Sequence, residues 1–218
     1  MDRKELKESL ELMNKESKQR NFDEAIELIV SLKNINLKNP SQRVDFVVNL
    51  PNPYISKLKT AIFLKDKNLA QNVKGKVDKI IFEDEISKIN KKECKKLADQ
   101  YDLFLAEGPV MLTVGKYIGQ VLGPRGKMPQ VVPADPEQIE SIIKGSLSKQ
   151  KISNKKNKNS VAIQTKIGKR SQTVDQLAEN IRIIYNSLLE KLPAGTQNIK
   201  HLYVKTTMGP SFKVGENK

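Results

Sequence analysis

The sequence carries almost none of the residues that build covalent cross-links or metal centres. Its single cysteine, Cys94, excludes an internal disulfide framework and any cysteine-based zinc site. Its single histidine, His201, puts a His-rich metal centre out of reach as well. Tryptophan is absent and aromatics are only 5% of the residues, so a packed core has to be largely aliphatic. No apolar run approaches the ~18–20 residues that a bilayer span requires. The N-terminus is charged from its second residue, unlike a signal peptide. A soluble, cytoplasmic protein with no membrane partner is the expectation. Catalytic signatures are missing too. Six residues rather than four separate Gly108 from Gly115, and Tyr117 stands where a phosphate loop needs its Mg²⁺-binding Ser or Thr. No G-x-G-x-x-G follows a strand, and there is no nucleophile elbow. The chain is expected not to be an enzyme, with no catalytic residues, no metal ligands and no cofactor.

What the sequence has in excess is positive charge. Lys and Arg number 39 against 25 Asp and Glu, a formal net charge of +14, which attracts polyanions and makes nucleic acid the leading partner class. The excess is concentrated. Between Ser141 and Val174 there is no acidic residue, while Lys144, Lys149, Lys151, Lys155, Lys156, Lys158, Lys166, Lys169 and Arg170 all fall inside. Each cation that neutralises a phosphate releases a condensed counterion, which favours binding at low salt. A solvated basic hairpin would have the same composition. Charge alone also gives affinity without choice of sequence.

Hydrophobic periodicity divides the chain into three stretches. A first helix carries Leu6, Leu10, Met13 and Ser17 on one stripe and ends near Gln19. Residues 25–34 alternate, with Ile26, Leu28, Val30 and Leu32 inward. After Pro40 a second alternation places Val44, Phe46, Val48 and Leu50 inward before Pro51 and Pro53. Such strands have one dry face and one wet face, as in antiparallel sheets. From there the texture changes to the continuous apolar runs 60–64, 79–82 and 101–106, expected of parallel strands covered on both sides. Helices are expected at about 67–73, 84–98 and 110–121, and from Pro136 through Ile139, Ile142, Ile143 and Leu147. Alternation then returns in 149–154 and 160–167, joined by a Lys/Asn-rich turn. Thr173 with Gln176 forms a capping-box signature for a helix striped by Val174, Leu177, Ile181, Ile184, Leu188 and Leu192. A last strand covers 199–207. The fold class expected is α/β (α+β) with two domains. A split domain with an antiparallel sheet is made by 1–57 and 149–218, and a three-layer α/β domain is inserted at 58–148.

Several segments are candidates for recognition. Thr206, Thr207, Met208, Gly209 and Pro210 end the last strand in a turn whose hydroxyls can reach phosphate, base or 2′-OH and whose Met208 can lie flat on a base or ribose. Glu27, on the wet face of the first strand, would repel phosphate but can accept from a base amino group or a 2′-OH; it is otherwise an exposed strand residue. Leu122-Gly123-Pro124-Arg125-Gly126-Lys127-Met128-Pro129 contains a Gly-x-x-Gly that resembles the K-homology clamp, and a rigid, partly buried connector fits it equally. The mixed charges of 84–96 read as a solvated helix face, and Cys94 there as a passive small side chain.

Assembled, these segments resemble the universal large-subunit ribosomal protein one family, the stalk proteins beside the tRNA exit site, over nearly the whole length. The most specific parts are Tyr203-Val204-Lys205-Thr206-Thr207-Met208-Gly209-Pro210-Ser211 and the central LGPRGKMP. Gly168-Lys169, the segment Gln176 to Arg182, and Asn21-Phe22 ahead of Glu27 also fit. The short N-terminus and LKNINLKNPSQRVDFVVNLP resemble the archaeal branch. The resemblance implies a Rossmann-like inserted domain that binds no dinucleotide. It also implies a first domain that grips the stalk of large-subunit ribosomal RNA, a role in the departure of deacylated exit-site tRNA, and repression of the protein's own mRNA. Contacts carried over are Phe22, Glu27, Ser160, Lys166, Gly168, His201, Thr207, Met208 and Gly209, to which Asn21, Lys158 and Lys169 are added as RNA-binding candidates. Asn21 occupies a place often basic in the family, and His201 one often filled by a small hydroxyl residue. A monomer is expected when free. The competing readings are an RNA-modifying enzyme that uses the α/β domain for a nucleotide cofactor, and a general RNA chaperone held by charge alone.

Overall fold

The structure is a computed structural model that describes residues 2–37, 39, 42–133, 135–154 and 161–215. It divides into two compact units, residues 1–54 with 148–218, and residues 55–147. The fold class is the mixed α/β one expected, with one antiparallel and one parallel four-stranded sheet.

In the first unit, α1 (Arg3–Glu16) starts where the Asp2 carboxylate accepts from the Lys4 N–H and buries Leu6, Leu10 and Met13. It stops at Ser17, earlier than Gln19. Strand β1 (Ala25–Leu32) has the expected period of two, with Ile26, Leu28, Val30 and Leu32 buried. It lies at the centre of the sheet, between β8 (Ala162–Lys169) and β9 (Ile199–Thr206), and β10 (Ser211–Lys213) closes the far edge of β9. β10 has no counterpart in the sequence reading, because three residues are too few to show a period. β2 (Asp45–Asn49) and β7 (Lys149–Ser153) pair with each other in a separate two-stranded sheet. The two strands expected on either side of the Lys/Asn-rich turn, β7 and β8, enter different sheets. The turn called between them, including Lys155, Lys156, Lys158 and Ser160, lies outside the described residues. α8 (Val174–Lys191) begins at the expected box, with the Gln176 N–H donating to Thr173 Oγ1 and the Thr173 N–H to Gln176 Oε1. Its stripe Leu177, Ile181, Ile184 and Leu188 joins α1 and the dry face of the sheet in one aliphatic core.

In the second unit the parallel order is β4-β3-β5-β6, made of Thr60–Leu64 (β3), Lys79–Phe82 (β4), Leu103–Glu107 (β5) and Gln130–Val132 (β6). Alternate residues serve two separate cores, which is why these runs are continuously apolar. Ala61, Phe63, Phe104 and Ala106 pack under the helices within residues 83–125, while Ile62, Leu64, Leu103 and Leu105 pack under α2 (Lys67–Val73) and α7 (Pro136–Leu147). Two expected helices are each corrected to a pair. Residues 84–98 form α3 (Glu83–Ile86) and α4 (Lys91–Gln100), because Asn90 and Glu93 cap a fresh start. Residues 110–121 form α5 (Val110–Tyr117) and α6 (Gly119–Arg125), separated at Ile118.

The Gly-x-x-Gly segment is the end of α6. Gly126 sits in the left-handed region at φ 69°, and the N–H groups of Gly126 and Lys127 donate to Gly123 and Leu122 carbonyls. Arg125 pairs with Asp99, and the Lys127 ammonium donates to the Ala98 and Tyr101 carbonyls at 2.9 and 2.8 Å. Both cations thus tie α6 to the end of α4. The Gly123–Gly126 stretch itself is exposed.

A candidate nucleic-acid interface

Both ends of the chain meet at one end of the antiparallel sheet. The segment before β1 carries Asn21 and Phe22, with the Phe22 ring 59% exposed. Glu24, two residues on, is only 1% exposed. Its carboxylate accepts the Met208 N–H at 2.7 Å and faces the Arg20 guanidinium at 3.8 Å, while its carbonyl accepts the Arg170 N–H at 2.9 Å. The Thr207 N–H donates to the Ala25 carbonyl, and its hydroxyl donates to Glu27 Oε1 at 2.8 Å. One carboxylate just ahead of β1 and one on it therefore fix a turn 180 or more positions away. The result is a Met208 side chain held 62% exposed on a rigid backbone.

Gly209 is required by close approach. A Cβ there would collide with the Thr206 hydroxyl and crowd that of Ser17. Its N–H closes the turn on the Thr206 carbonyl at 3.1 Å. Gly168 has the same function on β8, where a Cβ would collide with Gln172 and Leu177. Gln172 lies over this strand, accepting the Lys169 N–H and donating to the Asn52 carbonyl.

The wet face of the sheet continues the cluster. Glu27 lies beside Lys166 on β8 and Lys205 on β9, with a bulge in the β1–β8 register at Ile26/Glu27 that redirects the strand there. Lys166 is half-buried, its ammonium 4.6 Å from the centre of the Tyr54 ring. Burial pushes its pKa down, Lys169 adds to this, and Asp23 and Glu27 act the other way. Asp23 accepts from the Ser171 N–H and hydroxyl and faces Lys169 at 3.6 Å. Desolvation works against the Asp23 charge, but these donors prevail and hold its carboxyl below the usual range.

Asn21, Phe22, Glu27, Lys166, Gly168, Lys169, Thr207, Met208 and Gly209 are thereby gathered in one region. His201 is not. It sits opposite Ser31, six residues before Thr207 on an extended strand, or roughly 20 Å away. Its ring meets Tyr203 edge to face. Lys158 and Ser160 lie outside the described residues.

Three residues that matter here escaped the sequence reading. Glu24 looked like one acid among many; its signal is its place immediately before an alternating run. Arg170 counted only as charge, yet its guanidinium donates to the carbonyls of Asn14, Ser17 and Lys18 and so caps the end of α1. Asn180 is fully buried within the apolar stripe of α8, where a polar residue signals a partner. Its amide brackets Asn52, accepting the N–H at 3.1 Å and donating to the carbonyl at 2.8 Å, and also donates to the Ile167 carbonyl.

The arrangement offers donors, acceptors and an exposed thioether to a shaped partner. Among the described residues no cluster of His, Cys, Asp and Glu could hold a metal ion, and no helix is long and apolar enough to cross a membrane.

A sequence model of the Ribosomal protein L1p/L10e family matches residues 14–210. The large ribosomal subunit protein uL1 of Thermoplasma volcanium is 36% identical over 219 residues, covering 99% of this chain and 98% of that protein. The uL1 of Methanocella arvoryzae is 38% identical over 98% of this chain and all of its own length. That of Pyrococcus horikoshii is 36% identical over 98% of this chain and 96% of its own.

Proposed function

Since the chain belongs to the Ribosomal protein L1p/L10e family, a family of structural, non-enzymatic ribosomal proteins, we propose that it binds the stalk of large-subunit ribosomal RNA through the unit built from its two ends. It acts on the cytoplasmic ribosome, where movement of the bound stalk helps deacylated tRNA leave the exit site. The free protein is a monomer that represses translation of its own mRNA by binding a copy of the same RNA shape.

One observation carries this reading: buried Glu24 and partly exposed Glu27 anchor the Thr207–Met208 turn, so that a carboxylate, that of Glu27, stands on the recognition surface of a strongly basic protein. A surface that merely collected polyanions would gain nothing from it. A surface that selects an RNA shape gains an acceptor for a 2′-OH or a base amino group, beside cations for phosphate. The parallel sheet supports the same conclusion from the other side. Ligands of open α/β sheets lie at the C-terminal ends of the strands where the strand order reverses, here between β3 and β5. There the Glu107 carboxylate itself accepts the Lys65 and Asp66 N–H groups at 2.9 and 3.4 Å, occupying the donors that a cofactor phosphate would use.

A gel-shift titration against the stalk fragment and a scrambled control, at two salt concentrations, tests the proposal. A preference for the stalk RNA that persists at the higher salt is expected. Equal affinity for the two RNAs would leave only the charge-driven chaperone. A variant with residues 55–147 replaced by a short Gly/Ser linker should keep the preference; its loss in a folded variant would move the site elsewhere.

A further inference from the structure

Lys166 differs from the other lysines of the interface in how it is held. Most exposed lysines sweep through many rotamers, and ordering one on binding costs entropy. Lys166 instead rests half-buried over the face of Tyr54, with its ammonium 4.6 Å from the ring centre, a distance at which the ring quadrupole attracts a cation.

The ring is itself fixed. Its hydroxyl donates to Gln150 Oε1 at 2.6 Å, and Gln150 Nε2 donates to Thr165 Oγ1 at 3.1 Å. Thr165 is buried on β8, immediately before Lys166. The backbone leading to Tyr54 is fixed as well, because Asn180 and Gln172 bind both polar groups of the Asn52 main chain. A relay of five side chains therefore runs from the buried face of α8 to the ring beneath one ammonium. None of the five needs to touch RNA.

We propose that Tyr54 is a positioning residue of the RNA interface: clamped by Asn180 and Gln150, it presents Lys166 to a phosphate of the bound RNA in a pre-ordered geometry. The inference rests on the RNA reading above and assigns its affinity to a residue outside the contact surface. Because Lys166 is already partly stripped of water, little further desolvation is paid when the phosphate arrives. Burial and Lys169 lower the ammonium's pKa, and Asp23 and Glu27 oppose that shift.

The test uses the full chain with stalk RNA across a salt series. Lys166→Gln should weaken binding about fivefold and lower the slope of log K against log salt by about one, the signature of a lost phosphate contact. Tyr54→Leu should do nearly the same while leaving the contact surface intact. The double variant should be no weaker than Lys166→Gln alone, since the ring acts only through that ammonium. Tyr54→Phe keeps the ring but releases it from Gln150, and should fall between the parent and Tyr54→Leu in both affinity and slope. If Tyr54→Leu fails to fold, Gln150→Met, which releases the hydroxyl, takes its place and should lower affinity and slope in the same direction. A parent-like slope in the folded Tyr54 or Gln150 variant, or additive losses in the double variant, would overturn the proposal. Met208→Asp separates the two levels. If it abolishes the preference for stalk RNA while Lys166→Gln changes nothing, Tyr54 is merely structural; if neither changes the preference, the RNA reading itself fails.

Discussion

The two four-stranded sheets differ in what their strands face. The parallel sheet β4-β3-β5-β6 has helices on both sides, and every residue of β3 is buried. The antiparallel sheet β10-β9-β1-β8 has α1 and α8 on one side only, leaving Glu27, Lys166 and Lys205 on the other. The sheet of the type that often holds nucleotides has the Lys65 and Asp66 N–H donors at its crevice taken by Glu107, whereas the half-covered one presents an organised polar surface. A fold that could host a ligand is thus no guide to where the ligand goes; the free donors and acceptors are.

This contrast can be broken most severely at Met208. Met208→Asp puts a carboxylate beside Glu24 and Glu27, on the tip of the turn. It should lower affinity for stalk RNA at least a hundredfold, about 2.7 kcal/mol, in a gel shift, with the melting temperature unchanged. Parent-like binding would show that the open face is idle. Next in size is Asn180→Ala, which leaves the Asn52 N–H and the Ile167 carbonyl without partners in a buried site. About 1–3 kcal/mol of stability should go, read as a lower urea midpoint. Glu107→Ala sharpens the comparison from the other sheet. It frees the Lys65 and Asp66 N–H groups to water, so the loss should be about 1 kcal/mol or less, and RNA binding should not change. A drop in RNA affinity would contradict the division of labour.

The smallest effect concerns acid. Glu140 on α7 is bracketed by Lys144 and Lys76, which hold its carboxyl at about 2, well below its ordinary 4.5. A carboxyl depressed in the folded state stabilises it above the unfolded value and loses that contribution as pH falls through the folded one. The advantage of the parent over Glu140→Gln, read from urea midpoints, should therefore shrink between pH 4.5 and about 2, and be flat above pH 5. The groups are exposed, so added salt should shrink it too.

Much of this was legible in the sequence for one reason: burial on one face leaves a period of two, and burial on both leaves none. That is why β1 and β3 were distinguishable by texture. The capping box of α8 was readable because both partners are local. Sheet partners were not. The strands β7 and β8 follow one another in the sequence yet join different sheets, a choice made by long-range packing. The break at Asn90 was present as an Asn with a Glu three residues on, but the charges around it concealed the signal. At the candidate site the exposed side chains were visible as motif residues. The roles of Glu24 and Asn180 were not, because their work is done on backbone groups that only the folded chain brings near.

The cap that Arg170 places on α1 has a consequence for ionic strength. Counted along the sequence, nine cations stand without an acid between Ser141 and Val174. In the folded chain Lys144 faces Glu140, Lys151 faces Asp45, and Arg170 is spent on three carbonyl oxygens. Only cations free to take up a phosphate displace small ions from RNA. Association with RNA should therefore tolerate potassium better than the linear tally of charges implies, and a larger share of the binding free energy must come from fit.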